Sequence, residues 1–469
     1  MVLGKSLRYR ILVYPIIIGL FLFVCAYLAS MALGYDVSII NGKLQIKKTG
    51  LIVVATRPGG ATIYLDGVKQ KKQTSNIPFF SAKVDKISPG NHNLKIEKEG
   101  YENWEAFFDI EPERVCWANF VLLVPQKREA KNYSFPSSVA SIVASNDKSK
   151  ELIHLENKEN KTFAFWEIDT GNKEKRKLYE TRYNEGEPFR PLAYSFNTQR
   201  YLVEKKVGEK VSYLVFEANE NPKIWDVTDL FKINIEGIAF NPRNHDELFV
   251  LRGKTLFNLN YQDQKQSAAL DSNVGGLYPD EDAGLMFVKI TEGVYGLWRL
   301  EQNESKTAIV KNLEPSDSYQ VKYVSEFDSY AVLTHKTKDL FLYQDKGDGT
   351  ANLKRIAQNV NWFLPSPKSK YLEFSQGDDA IAYDIEKEKY LTTLKGRKIS
   401  SITWFNDDSN LLYVENGKLY LVNFNGYYDK YLFDTSDKIP VFSGSGVINL
   451  YFARENEQKI LDIAVYDFS

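Results

Sequence analysis

The sequence predicts an all-β protein: a small β-sandwich followed by a seven- or eight-bladed β-propeller, eight favoured, behind one N-terminal transmembrane helix. Three observations predict it. Aromatic residues make up 14% of the chain, led by 29 Tyr and 28 Phe, and these suit pleated, half-buried surfaces better than helices. The chain opens on an uncharged apolar run of membrane length. From about residue 137 onward a pair of short apolar strands recurs at a spacing of roughly 42 residues, the period of four-stranded propeller blades.

At 469 residues and 43% apolar content the chain is long enough for two or three domains with sizeable cores. A net charge of -1 speaks against a nucleic-acid-binding protein, which needs a basic excess over its binding domain. The two cysteines, Cys25 and Cys116, fall in different segments. They form no disulfide framework and read as small buried hydrophobes.

Residues 1–10 are expected to be cytoplasmic. Ile11 to Leu33, "ILVYPIIIGLFLFVCAYLASMAL", is 23 residues without a charge, and as a helix it spans roughly 34 Å, enough to cross a bilayer. Lys5, Arg8 and Arg10 precede it, and Asp36 is the first charge after it. The positive-inside rule therefore puts the N-terminus in the cytoplasm and everything after Tyr35 outside. A cleaved secretory signal is the rival reading, but its apolar region normally runs only about 7 to 15 residues. The expected location is thus the plasma membrane, single-pass, with the C-terminal bulk extracytoplasmic.

Residues 34–49 read as a linker. Between residues 41 and 100, eleven Lys and Arg face four acids, so the segment outside the expected membrane span is basic while the rest of the chain is acidic. Such a surface is attracted to anionic head groups, although a solvated Lys-rich surface explains it as simply. Within it, "GLIVVATRPGGATIYLDGVKQ" and "ISPGNHNLKIEKEGYENWEAFFDI" alternate apolar and polar residues between Gly, Pro and Asp-Gly turn signals, the mark of hairpins. The short stretch from Arg57 to Gly67 is itself expected to be a tight hairpin.

The pattern over residues 50–124 resembles the PEGA domain, on Pro58, Gly60, Ala61, Asp66-Gly67, Pro89-Gly90 and Gly100-Tyr101. In place of the Gly-x-Thr-Pro turn usual in that family the chain has "KKQTSNIP". The resemblance implies an extracytoplasmic β-sandwich of a bacterial surface or envelope protein, an anchoring or mounting unit without catalytic residues.

Residues 125–136 read as a linker and 137–469 as the propeller. Its repeating strands are "ELIHL" at 151, "YLVEK" at 201, "ELFVL" at 247, "GLMFV" at 284, "SYAVL" at 329, "YLEFS" at 371, "LLYVE" at 411 and "INLYF" at 448. Each is followed by a second strand and preceded by a polar turn, a grammar that resembles TolB-type and WD-like propellers. The chain stops after the third strand of the last unit, so a fourth must be borrowed, and "KNYSFP" at 131–136 is placed to supply it.

Catalytic signatures are sparse. His92, His154, His245 and His335 lack metal-ligand spacing, and no nucleophile elbow or phosphate-cradling loop occurs. No cofactor and no metal are expected. The acidic clusters at Asp280-Glu281-Asp282, Asp378-Asp379 and Asp407-Asp408, and "DKGDGT" at 345–350, read as turns. Binding candidates are the aromatics placed at ends of innermost strands: Tyr194, Tyr278, Tyr323, Trp362 and Trp404. They would line a channel or pack between blades, and packing is the simpler explanation.

The functional expectation is a membrane-anchored binding or scaffold protein of the cell envelope, not an enzyme. Its partner is an envelope protein, favoured, or a glycan held by Trp362 and Trp404 with Asn361 and Asn406. The alternative is a propeller-based hydrolase or lyase acting on envelope polysaccharide, marked by two carboxylates in one pocket.

Overall fold

The structure, a computed structural model, describes residues 14–25, 28, 35–40, 43–75, 81–183, 187–301, 304–345, 351–405, 408–444, 449–456 and 461–468. The chain divides into two compact units, one up to Lys127 and the other from Arg128 to Phe468.

In the first unit, residues 14–25 are helical with Ile16, Ile17, Ile18, Leu20, Phe21, Leu22 and Phe23 all exposed. No helix among the described residues is long and apolar enough to cross a membrane; residues 11–13, 26–27 and 29–33 of the expected span lie outside them. The expected linker is instead a hairpin, with Tyr35–Ile40 antiparallel to Lys43–Lys48.

The sandwich has a three-stranded sheet in the order Ala82–Ile87, Gly50–Arg57, Val115–Leu122, and a four-stranded sheet in the order Val68–Gln73, Thr62–Leu65, Gly90–Glu97, Trp104–Ile110. Ile52, Val54, Ile63, Leu94, Ile96 and Trp104 are buried, the apolar half of each alternating strand.

The Arg57 to Gly67 stretch corrects the expectation of a single hairpin. Asp66-Gly67 is a two-residue hairpin loop joining Leu65 to Val68, with φ of 49° and 78°, the positive angles a type I′ turn requires. Pro58-Gly59-Gly60, in contrast, carries the chain from one sheet to the other. Thr74 holds this crossing: its carbonyl accepts from Gly60 N at 2.8 Å and its Oγ1 from Ala61 N at 2.8 Å.

The second unit contains, among the described residues, eight four-stranded antiparallel sheets, an arrangement consistent with a propeller. Seven are consecutive runs of strands. The first is Ser138–Ala144, Lys150–Asn157, Thr162–Asp169 and Glu174–Arg182, and the second is Phe189–Tyr194, Arg200–Val207, Lys210–Glu217 and Ile224–Asp226. The third begins at Gly237–Phe240, the fourth at Val274–Asp280 and the fifth at Tyr319–Val324. The sixth is Phe363–Pro365, Tyr371–Gln376, Asp379–Asp384 and Lys389–Leu394; the seventh is Ile399–Trp404, Asn410–Glu415, Lys418–Asn423 and Lys430–Asp434.

The eighth sheet joins Phe442–Ser443, Asn449–Glu455 and Leu461–Asp467 to Lys131–Tyr133. That outer strand comes from the start of the unit, with Lys131 opposite Val465 and Tyr133 opposite Ile463. A short helix, Val227–Phe231, follows the fourth strand of the second sheet; its start is capped by the Asp226 carboxylate, which accepts from Asp229 N.

Apolar side chains fill the seams between successive sheets. Leu152, Phe163 and Phe165 of the first meet Tyr201, Val203 and Phe216 of the second, with Phe163 stacked on Phe189 at 4.0 Å. Phe433 of the seventh stacks on Phe452 of the eighth at 4.9 Å. The eighth packs in turn on the first, where Tyr133, Tyr451, Ala453 and Ile463 meet Ile153 and Leu155. The packing is therefore cyclic, and every sheet has a neighbour on both faces.

Candidate functional site

Three connections of the sixth and seventh sheets surround a cavity of about 490 Å³. Asn361 and Trp362 lead into the first strand of the sixth sheet, Gly377 and Asp378 form the turn between its second and third strands, and Arg397 and Lys398 cross to the seventh sheet. Ser375, Asp379, Ile399 and Ser400 complete the lining. All three connections fall at the same end of these sheets, because successive antiparallel strands reverse direction.

Local hydrogen bonds fix the frame. The Ser375 Oγ accepts from Asn361 N at 2.8 Å and from Trp362 N at 3.2 Å, which ties the entry of one strand to the next. Arg397 N donates to the Asp378 carbonyl at 2.8 Å, and Gly396 N to Asp379 Oδ1 at 2.7 Å. The Arg397 guanidinium is a fork: Nη1 meets Glu415 at 2.8 Å and Nη2 meets Asp429 at 3.0 Å. Asp429 also accepts from the Tyr413 hydroxyl at 2.8 Å, a charge-assisted network that holds the crossing loop.

Against this frame two charged groups are unpaired. Neither the Asp378 carboxylate nor the Lys398 ammonium has a hydrogen-bond or ion-pair partner among the described residues. Asn361 Oδ1 accepts from Lys338 Nζ at 2.9 Å, leaving its amide NH2 as a donor.

The first unit adds the family signal: two sheets, an Asp-Gly hairpin and a crossing turn at Pro58 to Gly60. Residues 49–124 match the PEGA domain. No curated protein matches the chain. Among solved structures it is similar to an oligogalacturonate lyase in complex with manganese, at 12% identity and TM-score 0.41, covering 72% of this chain and 98% of that one. A Listeria monocytogenes EGD-e protein, lmo1340, is 12% identical at TM-score 0.42 over 65% of this chain and 98% of its own. A eukaryotic initiation factor is 10% identical at TM-score 0.44, over 66% and 91% respectively. At such identities function does not transfer with fold.

In the PEGA unit His92 is a structural residue at the Asp-Gly hairpin. Its Nδ1 lies 2.6 Å from Asp66 Oδ2, and its Nε2 is 2.7 Å from the Ser88 carbonyl. Burial alone would lower its pKa, yet these two bonds outweigh it and the value is raised. His154 is buried in the first propeller-like sheet, where desolvation lowers its pKa to about 4. Among the described residues no group of three His, Cys, Asp or Glu is placed to hold a metal ion. Cys25 is exposed and Cys116 half-buried, so neither is the buried hydrophobe expected.

The five aromatic candidates do not converge. Tyr194 is buried at the seam of the first and second sheets, its hydroxyl donating to Glu167 at 3.3 Å. Tyr278 and Tyr323 pack against the core shared by the fourth and fifth sheets. Trp404 is 4% exposed, lies roughly parallel to Tyr371 at 6.3 Å and donates from Nε1 to the Leu364 carbonyl at 3.3 Å. Trp362 alone of the five lines the cavity, together with Asn361.

Strand direction separates these residues. Trp362 precedes its strand, whereas Tyr194 and Trp404 end theirs at the opposite edge of the sheets. Asn406, Asp407 and residues 346–350 lie outside the described residues. Of the acidic clusters, Asp280 caps its own turn by accepting from Asp282 N and Ala283 N, while Asp378-Asp379 belongs to the cavity. Lys398 and Ser400 were missed because a lone Lys and Ser in a loop carry no sequence signal.

Glu373 is, with Glu151, one of two buried glutamates among the described residues that desolvation holds well above the ordinary carboxylate range. It is the third residue of the second strand of the sixth sheet, where the other sheets place Leu152, Leu202, Phe249, Met286, Ala331, Leu412 and Tyr451. Fully buried, it accepts from Thr393 Oγ1 at 3.2 Å, and its other oxygen has no hydrogen-bond partner. Desolvation raises its pKa well above 4.5.

Because the folded chain holds this proton to higher pH than the unfolded chain does, the stability it contributes is full below the ordinary Glu range. That contribution is lost as pH rises through the raised value. Glu373→Leu is therefore expected to stabilise the second unit by about 1–3 kcal/mol at neutral pH and to lessen the fall of its melting temperature as pH rises above the ordinary Glu range, the remainder being carried by Glu151. Calorimetry at several pH values reads both effects; a less stable variant at pH 8 contradicts the assignment.

Proposed function

We propose that the chain is a membrane-anchored extracytoplasmic binding protein whose PEGA domain mounts an eight-bladed propeller. The observation that carries the binding reading is the cavity between the sixth and seventh sheets, with a rigid frame and two charged groups left for a ligand. Eight sheets packed cyclically, closed by Lys131–Tyr133, support the blade count. The anchor reading rests on the uncharged run from Ile11 to Leu33 and on a helix over residues 14–25 whose large apolar side chains are exposed, a surface suited to lipid.

With Lys5, Arg8 and Arg10 before the run, the N-terminus is cytoplasmic and the PEGA domain and propeller are outside. Protease added to intact cells is expected to digest the chain beyond residue 36; protection of that whole region overturns the orientation. Capture of partners from envelope extract by the full-length chain tests the binding role. A protein retained by the native chain and lost with Asp378→Asn and Lys398→Gln supports it.

A hydrolase or lyase is the second reading, favoured by one observation: Asp378 and Asp379 both line the cavity. Asp379 follows Asp378 directly in one turn and is held by Gly396 N, whereas acid–base cleavage of a glycosidic bond uses two carboxyl groups that flank the bond. Binding is accordingly the preferred reading, and release of reducing ends from envelope polysaccharide overturns it.

A further inference from the structure

The cavity between the sixth and seventh sheets is specific enough in its chemistry to name a ligand class. At about 490 Å³ it falls within the roughly 300–1,000 Å³ of small-ligand sites. Its lining mixes the polar side chains of Asn361, Ser375, Asp378, Asp379, Arg397, Lys398 and Ser400 with a comparable apolar surface that includes Trp362 and Ile399. A protein interface centre is depleted of charged residues and dominated by apolar contact, which this lining does not match.

The charged groups divide into two sets. Arg397 is neutralised by Glu415 and Asp429, and Asp379 is held by Gly396 N. The groups with no partner among the described residues are one carboxylate, Asp378, and one ammonium, Lys398. Opposite in sign, they offer one strong acceptor and one strong donor. The Asn361 NH2 adds a second donor. Hydroxyl groups both donate and accept and match this set, while the face of Trp362 suits the C–H side of a sugar ring.

We infer that this cavity binds a neutral, hydroxyl-rich oligosaccharide, with Trp362 as the stacking platform and Asp378, Lys398 and Asn361 as the hydroxyl partners. The inference rests on the binding reading above and gives it a substrate class. The frame around the site is already tied by Ser375, Gly396 and the Arg397 fork, so little ordering is needed on binding.

The test uses the full-length chain in detergent, screened on an array of neutral, amino and acidic oligosaccharides, with hits titrated by calorimetry. Neutral oligosaccharides are expected to bind best. Trp362→Ala should weaken binding about tenfold, and Asp378→Asn and Lys398→Gln each several-fold, all with melting temperatures close to that of the native chain.

A preference for acidic or amino sugars, or an affinity unchanged in all three variants, overturns the inference. So does the absence of any oligosaccharide binding by the folded chain. In that last case a protein partner still captured from envelope extract and lost in the variants leaves the binding reading standing, whereas loss of both overturns both.

Discussion

Deleting residues 131–136 is expected to lower the melting temperature of the second unit by about 10 °C, the larger of two strong effects on stability. The deletion removes the outer strand of the eighth sheet, Lys131–Tyr133, paired along Leu461–Asp467. It also removes Tyr133 and Phe135, which are buried in the seam between the eighth and first sheets. Two further bonds go with them: the Tyr133 hydroxyl to the Lys173 carbonyl at 2.8 Å, and Phe135 N to Asp462 Oδ1 at 3.0 Å.

Truncating one buried aromatic to Ala costs about 3–5 kcal/mol. Losing two with their strand costs about 7 kcal/mol or more, which for a unit of this size corresponds to a shift of about 10 °C. The exposed edge of Leu461–Asp467 should in addition promote association. Calorimetry of the full-length chain reads the result, with the PEGA domain's own transition as an internal reference. Unchanged melting of the second unit would falsify closure by this strand.

Trp404→Ala is expected to cost about 3–5 kcal/mol, because Trp404 is almost fully enclosed between Tyr371 and the Leu364 carbonyl. Trp362→Ala, by contrast, removes a half-buried side chain at the cavity and should cost about 1 kcal/mol. The pair separates packing from binding. Denaturant titration should show a large drop in midpoint for Trp404→Ala and a small one for Trp362→Ala, while ligand affinity of the folded fraction should fall only for Trp362→Ala. Equal stability losses, or an affinity loss in folded Trp404→Ala, contradict the assignment.

The contrast between these two tryptophans shows where sequence reading reaches its limit. Both sit next to short apolar strands of neighbouring repeats, and both read as ends of innermost strands. Which edge of the sheet each occupies depends on strand direction and on a register only pairing reveals: Phe363 lies opposite Phe374 and Trp404 opposite Leu411. Both pack on the core shared by the sixth and seventh sheets, but Trp404 is enclosed there while Trp362 is half-buried and also lies beside the turn at Gly377. Glu373 is a similar case. The strand "YLEFS" alternates like any other, and nothing local shows that its middle position faces the next sheet and is wholly enclosed.

The PEGA domain divides along the same line. Asp66-Gly67 announces its turn, because the side chain and the glycine meet the positive φ angles locally. Pro58-Gly59-Gly60 is an equally strong turn signal, yet whether the chain folds back or crosses to a second sheet is decided by what its flanking strands pair with. Gly50–Arg57 pairs with Val115–Leu122, distant in the chain and parallel to it, a partner no short-range pattern encodes.

The sequence by itself determined the properties that repeat or act locally: the all-β class, the family of residues 49–124, the eight strand pairs and the source of the last strand. Periodicity and turn chemistry are written residue by residue, so these survive without coordinates. Only the tertiary structure decided which side chains meet: the cavity of Trp362, Asp378 and Lys398, the Arg397 fork and the enclosure of Glu373. Those contacts join separate connections and neighbouring sheets, and their energies arise from proximity and desolvation that exist only after the sheets have packed.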